Sequence, residues 1–125
     1  MSRPMFLTLA DDSWQRAHYA MIVAAGALSL GRHVTLFAGG RSVLALTTDC
    51  SGLQGTIADN VLEAKGIAGF GELREAVLGF GATVMACETG LIMAGLTTKD
   101  LLAGVEVRGI VSFLELAGDN PLLAL

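Results

Sequence analysis

The chain has 125 residues and a formal net charge of −4, and its length suits one domain, residues 1–125, with a single core. Its Lys and Arg residues are scattered singly, which excludes the basic patch of a nucleic-acid-binding protein. Hydrophobic residues make up 53% of the chain and charged residues 16%. A small domain cannot bury that much apolar surface alone, so we expect a homo-oligomer.

The cysteines and the apolar runs indicate a cellular compartment. Cys50 and Cys87 are the two cysteines, and without a CxxC they form neither a disulfide framework nor a zinc site. The longest apolar run, residues 17–30, is interrupted by polar residues and is shorter than the roughly 20 residues that span a bilayer. The N-terminus has no signal-peptide core. We therefore expect a cytoplasmic protein with free thiols and no transmembrane segment.

The first half of the chain reads as a strand, a long helix and a second strand. Residues 5–9 are apolar on both faces, as buried parallel strands are. A helix follows, capped by Asp12 or Ser13, and continues to about Leu30 before Gly31 ends it. A second strand is predicted over 33–37 and a second helix over 41–46. Residues 47–69 are weakly patterned and contain one short predicted helix, 58–65.

The second half begins with a helix over 72–78 that Gly79 and Gly81 end. The elements after it are predicted, in chain order, as strand 83–86, helical pieces 88–93 and 99–102, strand 105–111, helix 112–116 and strand 122–125. Alternating strands and helices predict βαβ units around a mostly parallel sheet of about five strands.

Ligands of such sheets bind beyond the carboxyl ends of the strands. This rule places one set of residues on a common rim and makes them candidates for a pocket. They are Asp11, Asp12 and Trp14 after the first strand, Gly39 and Gly40 after the second, Cys87 and Glu88 after the third, and Ser112 and Phe113 after the fourth.

Cys87 is the strongest candidate for chemistry, because it ends the third strand where a helix is predicted to begin. Helix N-terminal N–H groups, here including those of Thr89 and Gly90, favour the thiolate, which is the form that attacks and carries sulfur. Glu88 opposes the thiolate through like-charge repulsion. The local pattern alone is equally compatible with a small buried hydrophobe.

The segment from Cys87 to Gly95 and Leu96 resembles the C-x7-G-(L/I/V) signature of the DsrE family of sulfur-trafficking proteins. An Asp-Asp start to an Ala-rich helix, a G-x-x-V-T-L-F second strand and the closing V-E-V-R-G-I-V-S-F are also similar to that family. The resemblance implies a flavodoxin-like three-layer α/β domain, assembly into trimers or hexamers, and a persulfide that forms on Cys87 and passes to an acceptor. Two features depart from the pattern: Ala94 replaces an Arg common in members, and residues 88–95 hold no second cysteine.

Other residues keep two interpretations each. Cys50 either resolves a persulfide or sulfenic acid on Cys87 or is an incidental free thiol. Trp14 either forms the floor of a pocket over Cys87 or packs at a helix surface, and His18 is either a base toward a rim ligand or a structural residue. The alternative to a sulfur carrier is a non-catalytic ligand-binding or scaffold module.

No nucleotide-binding or hydrolase motif is complete in the sequence. The run Gly69-Phe70-Gly71 begins like GxGxxG, but Arg74 occupies the position of the third glycine. We therefore expect no cofactor and no metal, and at most a sulfurtransferase-like activity.

Overall fold

A five-stranded sheet organises the protein, whose computed structural model describes residues 3–125. All neighbouring strands pair in parallel, in the order β4-β3-β2-β1-β5. The strands are β1 (Met5–Leu9), β2 (Val34–Ala38), β3 (Thr83–Cys87), β4 (Glu106–Arg108) and β5 (Leu122–Ala124). The predicted three-layer α/β architecture is confirmed. The layers are flavodoxin-like, and the first four strands lie in chain order with β5 returning to the edge beside β1.

Within residues 3–125, five α-helices and two 3₁₀ helices connect these strands. They are α1 (Trp14–Ser29), α2 (Asp59–Glu63), α3 (Phe70–Gly79), α4 (Glu88–Ala94) and α5 (Ile110–Ala117), with 3₁₀ helices at Gly40–Leu46 and Thr98–Asp100. Ser13 caps α1, since its hydroxyl accepts a hydrogen bond from the Arg16 N–H at 3.1 Å. The segment predicted as a helix over 41–46 is helical, but it forms the tighter 3₁₀ helix.

The sheet buries its two faces unequally. Leu36, Val84 and Ala86 belong to the larger apolar cluster, which also contains the buried side chains of α1, α3 and Gly40–Leu46. The opposite face carries a smaller cluster that α5 covers, made of Phe6, Phe37, Met85, Phe113 and Ala117. Because side chains alternate along a strand, Cys87 lies on the same face as Met85, which is the face that α5 covers.

Two predicted boundaries in the C-terminal third are wrong. The strand predicted over 105–111 ends at Arg108, and α5 already begins at Ile110, behind its N-cap Gly109. The β-branched pair Ile110-Val111 favours a strand locally, but burial of Phe113 and Ala117, one helical turn apart, selects the helix. Phe113 lies on α5 and its side chain is fully buried against the sheet. It therefore belongs to the core and not to the predicted rim. Ser112 is exposed within the same helix.

Within residues 3–125, no helix combines the length and apolar character needed to cross a membrane.

Candidate functional site

Cys87 is the last residue of β3 and the N-cap of α4, with extended backbone angles of φ −67° and ψ 126°. Its side chain is half-buried and packs against both apolar clusters. The sulfur makes no hydrogen bond to the N–H groups of the first turn of α4. Cys87 therefore occupies the N-cap position at the carboxyl end of β3, but its sulfur does not cap the helix.

The sequence signature that begins at Cys87 coincides with one capped helix. Its seven intervening residues are the seven residues of α4, and Gly95 is the C-cap in the left-handed conformation, at φ 71°. The Gly95 N–H bonds to the Ile92 carbonyl at 3.1 Å, and the Leu96 N–H to the Leu91 carbonyl at 2.9 Å. Glycine is needed at this position because other residues are strained at such a φ.

Gly39, Gly40 and Gly90 bring three segments of the rim into direct contact. A Cβ at Gly90 would lie 2.5 Å from the Gly40 carbonyl oxygen and 2.9 Å from the Val43 methyl carbon Cγ1. A Cβ at Gly40, whose φ is +52°, would lie 2.6 Å from the Ala10 carbonyl oxygen. The Gly39 N–H bonds to the Leu9 carbonyl at 2.9 Å. These predicted pocket glycines thus permit close packing of α4 on the Gly40–Leu46 helix and of that helix on the end of β1.

Two charged residues are neighbours of Cys87, Glu88 in the chain and Arg108 in the sheet. Glu88 is exposed, and its Oε1 lies beside Gly109, where an added Cβ would be 3.4 Å away. Arg108 on the neighbouring strand β4 is the register partner of Cys87. Its guanidinium forms an ion pair with Glu106 at 3.0 Å. Sequence reasoning missed Arg108, because only the β3–β4 register shows that a strand-four residue lies next to the cysteine. Thr89 is exposed in the first turn of α4.

Asp11 and Asp12 both carry out local structural roles. Asp11 accepts a hydrogen bond from the Ser13 N–H at 3.0 Å and forms an ion pair with Arg16. Asp12 forms an ion pair with Arg41 at 3.0 Å. Each carboxylate therefore has an arginine partner, and the two do not form an acid/base pair.

Trp14 lies in a buried aromatic group at the start of α1. Its indole is 4% exposed and stacks on His18, with 4.7 Å between ring centroids and 16° between planes, and it also faces Phe70. His18 Nε2 lies 3.0 Å from the Ala68 carbonyl oxygen. This bond and the stacking give His18 a structural role. Trp14 lines a cleft with Cys50, so the structure brings the indole to the other cysteine.

Cys50 occupies a constrained position in the segment after the first 3₁₀ helix. It is the one non-glycine residue of the described chain with a positive φ, 56°, and its N–H bonds to Thr47 Oγ1 at 3.1 Å. Burial is the main cause that raises the pKa of the Cys50 thiol, and the Asp49 and Asp59 carboxylates add to it, while the Arg74 guanidinium opposes the shift.

Among residues 3–125, no three or more His, Cys, Asp or Glu side chains are grouped so that they could hold a metal ion.

Comparison with known proteins identifies the fold. No protein-family model matches the sequence, and no curated protein matches it significantly. Solved structures match over nearly their whole length. The ychN protein from E. coli has a TM-score of 0.64 and 16% identity, covering 98% of this chain and 99% of that chain. MTH1491 from Methanobacterium thermoautotrophicum, a protein of unknown function, has a TM-score of 0.65 and 16% identity with both chains fully covered.

A third similar structure is BT1422 from Bacteroides thetaiotaomicron, a conserved protein of unknown function. Its TM-score is 0.60 and its identity 18%, covering 96% of this chain and 94% of that chain. At these identities the likeness shows a shared fold, and activity has to be argued from the site itself.

Proposed function

We propose that this protein is a small sulfur carrier of the DsrE type that accepts sulfane sulfur on Cys87 as a persulfide. The observation that carries the proposal is the position of Cys87. It is half-buried, ends a strand at the carboxyl edge of a parallel sheet, and begins a helix whose caps match the C-x7-G pattern. Its activity is at most that of a sulfurtransferase.

The transfer needs no outside oxidant or reductant. The Cys87 thiolate attacks the outer sulfur of a donor persulfide R–S–SH, a new S–S bond forms, and the donor leaves as the thiolate R–S⁻. Cys87 then carries –S–SH, and an acceptor thiolate on a partner protein removes the outer sulfur in the same way. The outer sulfur lies about 2 Å beyond Sγ.

Two groups on this edge suit an anionic outer sulfur. The Thr89 and Gly90 N–H groups belong to the first turn of α4, where a helix leaves donors unpaired. Arg108, the register partner of Cys87 on β4, supplies a cation that it shares with Glu106. Glu88 opposes the charge, and its position beside Gly109 places the carboxylate near the first turn of α5.

The apolar surface supports a homo-oligomer, trimeric or hexameric as the resemblance implies. Ile92 and Met93 on α4 are 79% and 68% exposed, and Val111 on α5 is 67% exposed. Exposed apolar side chains of this kind favour burial between subunits. Light scattering coupled to gel filtration measures the subunit number. A carrier that works with free thiols also suits a reducing compartment, the cytoplasm.

One observation favours a non-catalytic module instead. Cys87 contacts both apolar clusters, as a cysteine used for packing does. In that case the protein binds a ligand or a partner subunit without carrying sulfur. The two functions differ in one measurable property, which is the reactivity of Cys87 in the native protein.

Intact mass spectrometry after incubation with a polysulfide tests the proposal. We expect the wild type and Cys50→Ser to gain sulfur atoms and Cys87→Ser to gain none. Cys50→Ser is the matched control, because it removes the other thiol of the chain. Loading of Cys87→Ser to the wild-type level contradicts the carrier mechanism. Absence of loading together with slow alkylation of native Cys87 supports the non-catalytic module.

A further inference from the structure

β5 is an edge strand whose outer side has no partner strand. It lies at one end of the sheet and pairs in parallel with β1 through Leu122–Ala124. Within residues 3–125, no strand lies on its far side. An unpaired edge presents a row of backbone donors and acceptors that can pair with a strand of another chain.

The hydrogen bonds between β5 and β1 show which backbone groups of β5 point outward. The Leu125 N–H donates to the Thr8 carbonyl at 2.9 Å, and Thr8 is the register partner of Ala124. Backbone groups of successive residues in a strand point to opposite sides, so Leu123 and Leu125 face β1. The N–H and C=O groups of Leu122 and Ala124 therefore face away from the sheet. In the described part of the chain, none of them forms a turn or loop hydrogen bond.

The two edges of the sheet differ in the features that prevent strand pairing. β4, at the opposite edge, carries the ion pair of Glu106 and Arg108, and charged side chains are one way in which proteins keep an edge unpaired. Residues 120–125 have no charged side chain. Pro121 precedes Leu122, so the donor that it lacks is not one of the outward-facing groups.

The exposed side chains of β5 are apolar on both faces of the sheet. Leu122 is 45% exposed and Leu123 is 40% exposed. Leu122 is the register partner of Phe6 and lies on the face that α5 covers, whereas Leu123 lies on the other face. On the first of these faces, α5 adds the exposed side chains of Leu114 and Leu116. Apolar side chains beside an unpaired edge favour a contact that buries them.

The outward groups of β5 fit a second copy of the same strand. Leu122 and Ala124 lie one residue on either side of Leu123. An antiparallel copy related by a two-fold axis at Leu123 therefore places each Leu122 opposite the partner's Ala124. Such facing residues exchange two hydrogen bonds, so every outward group of both strands is paired. The same axis brings the two Leu123 side chains together on one face.

We propose that β5 is the interface at which two copies of this chain join their sheets, with antiparallel β5 strands related by a two-fold axis at Leu123. The joined sheet then carries α5 of both copies on one side and α1 of both on the other. A two-fold contact occurs in a dimer and in a hexamer of two trimers, but not in a trimer. The contact involves neither Cys87 nor the transfer of sulfur, so it is tested separately from the carrier function.

Cysteine cross-linking tests the register of the two strands. The two Leu123 residues would form a non-hydrogen-bonded pair with Cα atoms about 4.5 Å apart, which a disulfide can span. The two Leu122 residues would lie two positions out of register, with Cα atoms roughly 8 Å apart, which is too far for a disulfide. A Cys50→Ser/Cys87→Ser background removes both native thiols.

In that background we expect mild oxidation to convert Leu123→Cys into a disulfide-linked dimer as the major species. Leu122→Cys is the matched control on the same strand and should stay unlinked. Absence of a linked dimer in Leu123→Cys, or equal linking of Leu122→Cys, overturns the proposal.

A mixture of two variants covers the case in which Leu123→Cys does not fold. Leu122→Cys and Ala124→Cys would face each other as a hydrogen-bonded pair, with Cα atoms about 5.5 Å apart. We expect oxidation of the mixture to form the mixed dimer, recognised by its mass, in preference to either homodimer. Absence of the mixed dimer also overturns the proposal.

The subunit number provides a test that needs no added thiol. Leu123→Lys places two like charges opposite each other at the two-fold axis, which destabilises strand pairing. We expect gel filtration with light scattering to give half the wild-type subunit number for Leu123→Lys. The control Leu30→Lys changes an exposed apolar residue at the C-cap of α1 and should keep the wild-type number. A monomeric wild type, or an unchanged subunit number in Leu123→Lys, refutes the interface.

Discussion

The close contact between α4 and the Gly40–Leu46 helix predicts that Gly90→Ala destabilises the protein. Alanine normally stabilises a helix relative to glycine by about 1 kcal/mol. At this position the new Cβ would lie 2.5 Å from the Gly40 carbonyl oxygen, 2.9 Å from Val43 Cγ1 and 3.1 Å from the Gly40 nitrogen. Two of these three atoms are backbone, so a rotamer change cannot relieve the overlap.

The magnitude follows from the two opposing effects. Overpacking of this kind costs about 1–3 kcal/mol, and the gain in helix propensity offsets about 1 kcal/mol of it. Because the overlap is mainly with backbone atoms, the cost should lie in the upper part of that range, about 2–3 kcal/mol. We therefore expect a net loss of about 1–2 kcal/mol in the free energy of unfolding. With a urea m-value of roughly 2 kcal/mol/M, the unfolding midpoint should fall by about 0.5–1 M.

Gly26→Ala is the matched control, because Gly26 lies inside α1 with no atom within 4 Å of the position of a Cβ. We expect this variant to be more stable than the wild type by up to about 1 kcal/mol. Urea unfolding followed by circular dichroism measures both variants. If Gly90→Ala gains stability as Gly26→Ala does, the helices are not packed as tightly as the glycine contacts require.

Two further predictions concern the cap of α4 and Cys50. Gly95→Ala should destabilise by about 1 kcal/mol in the same urea assay, because Gly95 holds φ 71° in the left-handed region; an unchanged midpoint would contradict the cap assignment. Burial raises the pKa of the Cys50 thiol above 9.0, so the stability it contributes is complete below the unfolded pKa and is lost as pH rises through the folded pKa. Cys50→Ser should therefore show a smaller loss of stability than the wild type when pH is raised from 8 into the alkaline range, measured by urea unfolding, and identical pH profiles would refute the shift.

Local signals in the sequence were enough to predict the architecture. Each predicted strand is present in the sheet, and the alternation of strands with helices predicted its parallel pairing. Ser13, one of the two residues predicted to cap α1, is the one that does so, through chemistry that acts over a few residues. The position of Cys87 at a strand–helix junction is likewise local, so it was predictable from the residues on either side.

What surrounds the candidate residues depended on contacts between distant segments. The sequence pattern extended the fourth strand through Val111, but the burial of Phe113 against the sheet makes that stretch helical. Trp14, placed by its position on the rim near Cys87, instead lines the cleft of Cys50.

The sequence by itself determined the order and type of the elements and which cysteine ends a strand, because hydrophobic periodicity and capping act between neighbours in the chain. Only the tertiary structure decided that Arg108 lies level with Cys87 and that Gly90 meets Gly40. It also showed that Arg74 is buried and lines the same cleft as Cys50. These relations depend on strand register and on packing across residues far apart in the chain, and a one-residue change in register would alter each of them.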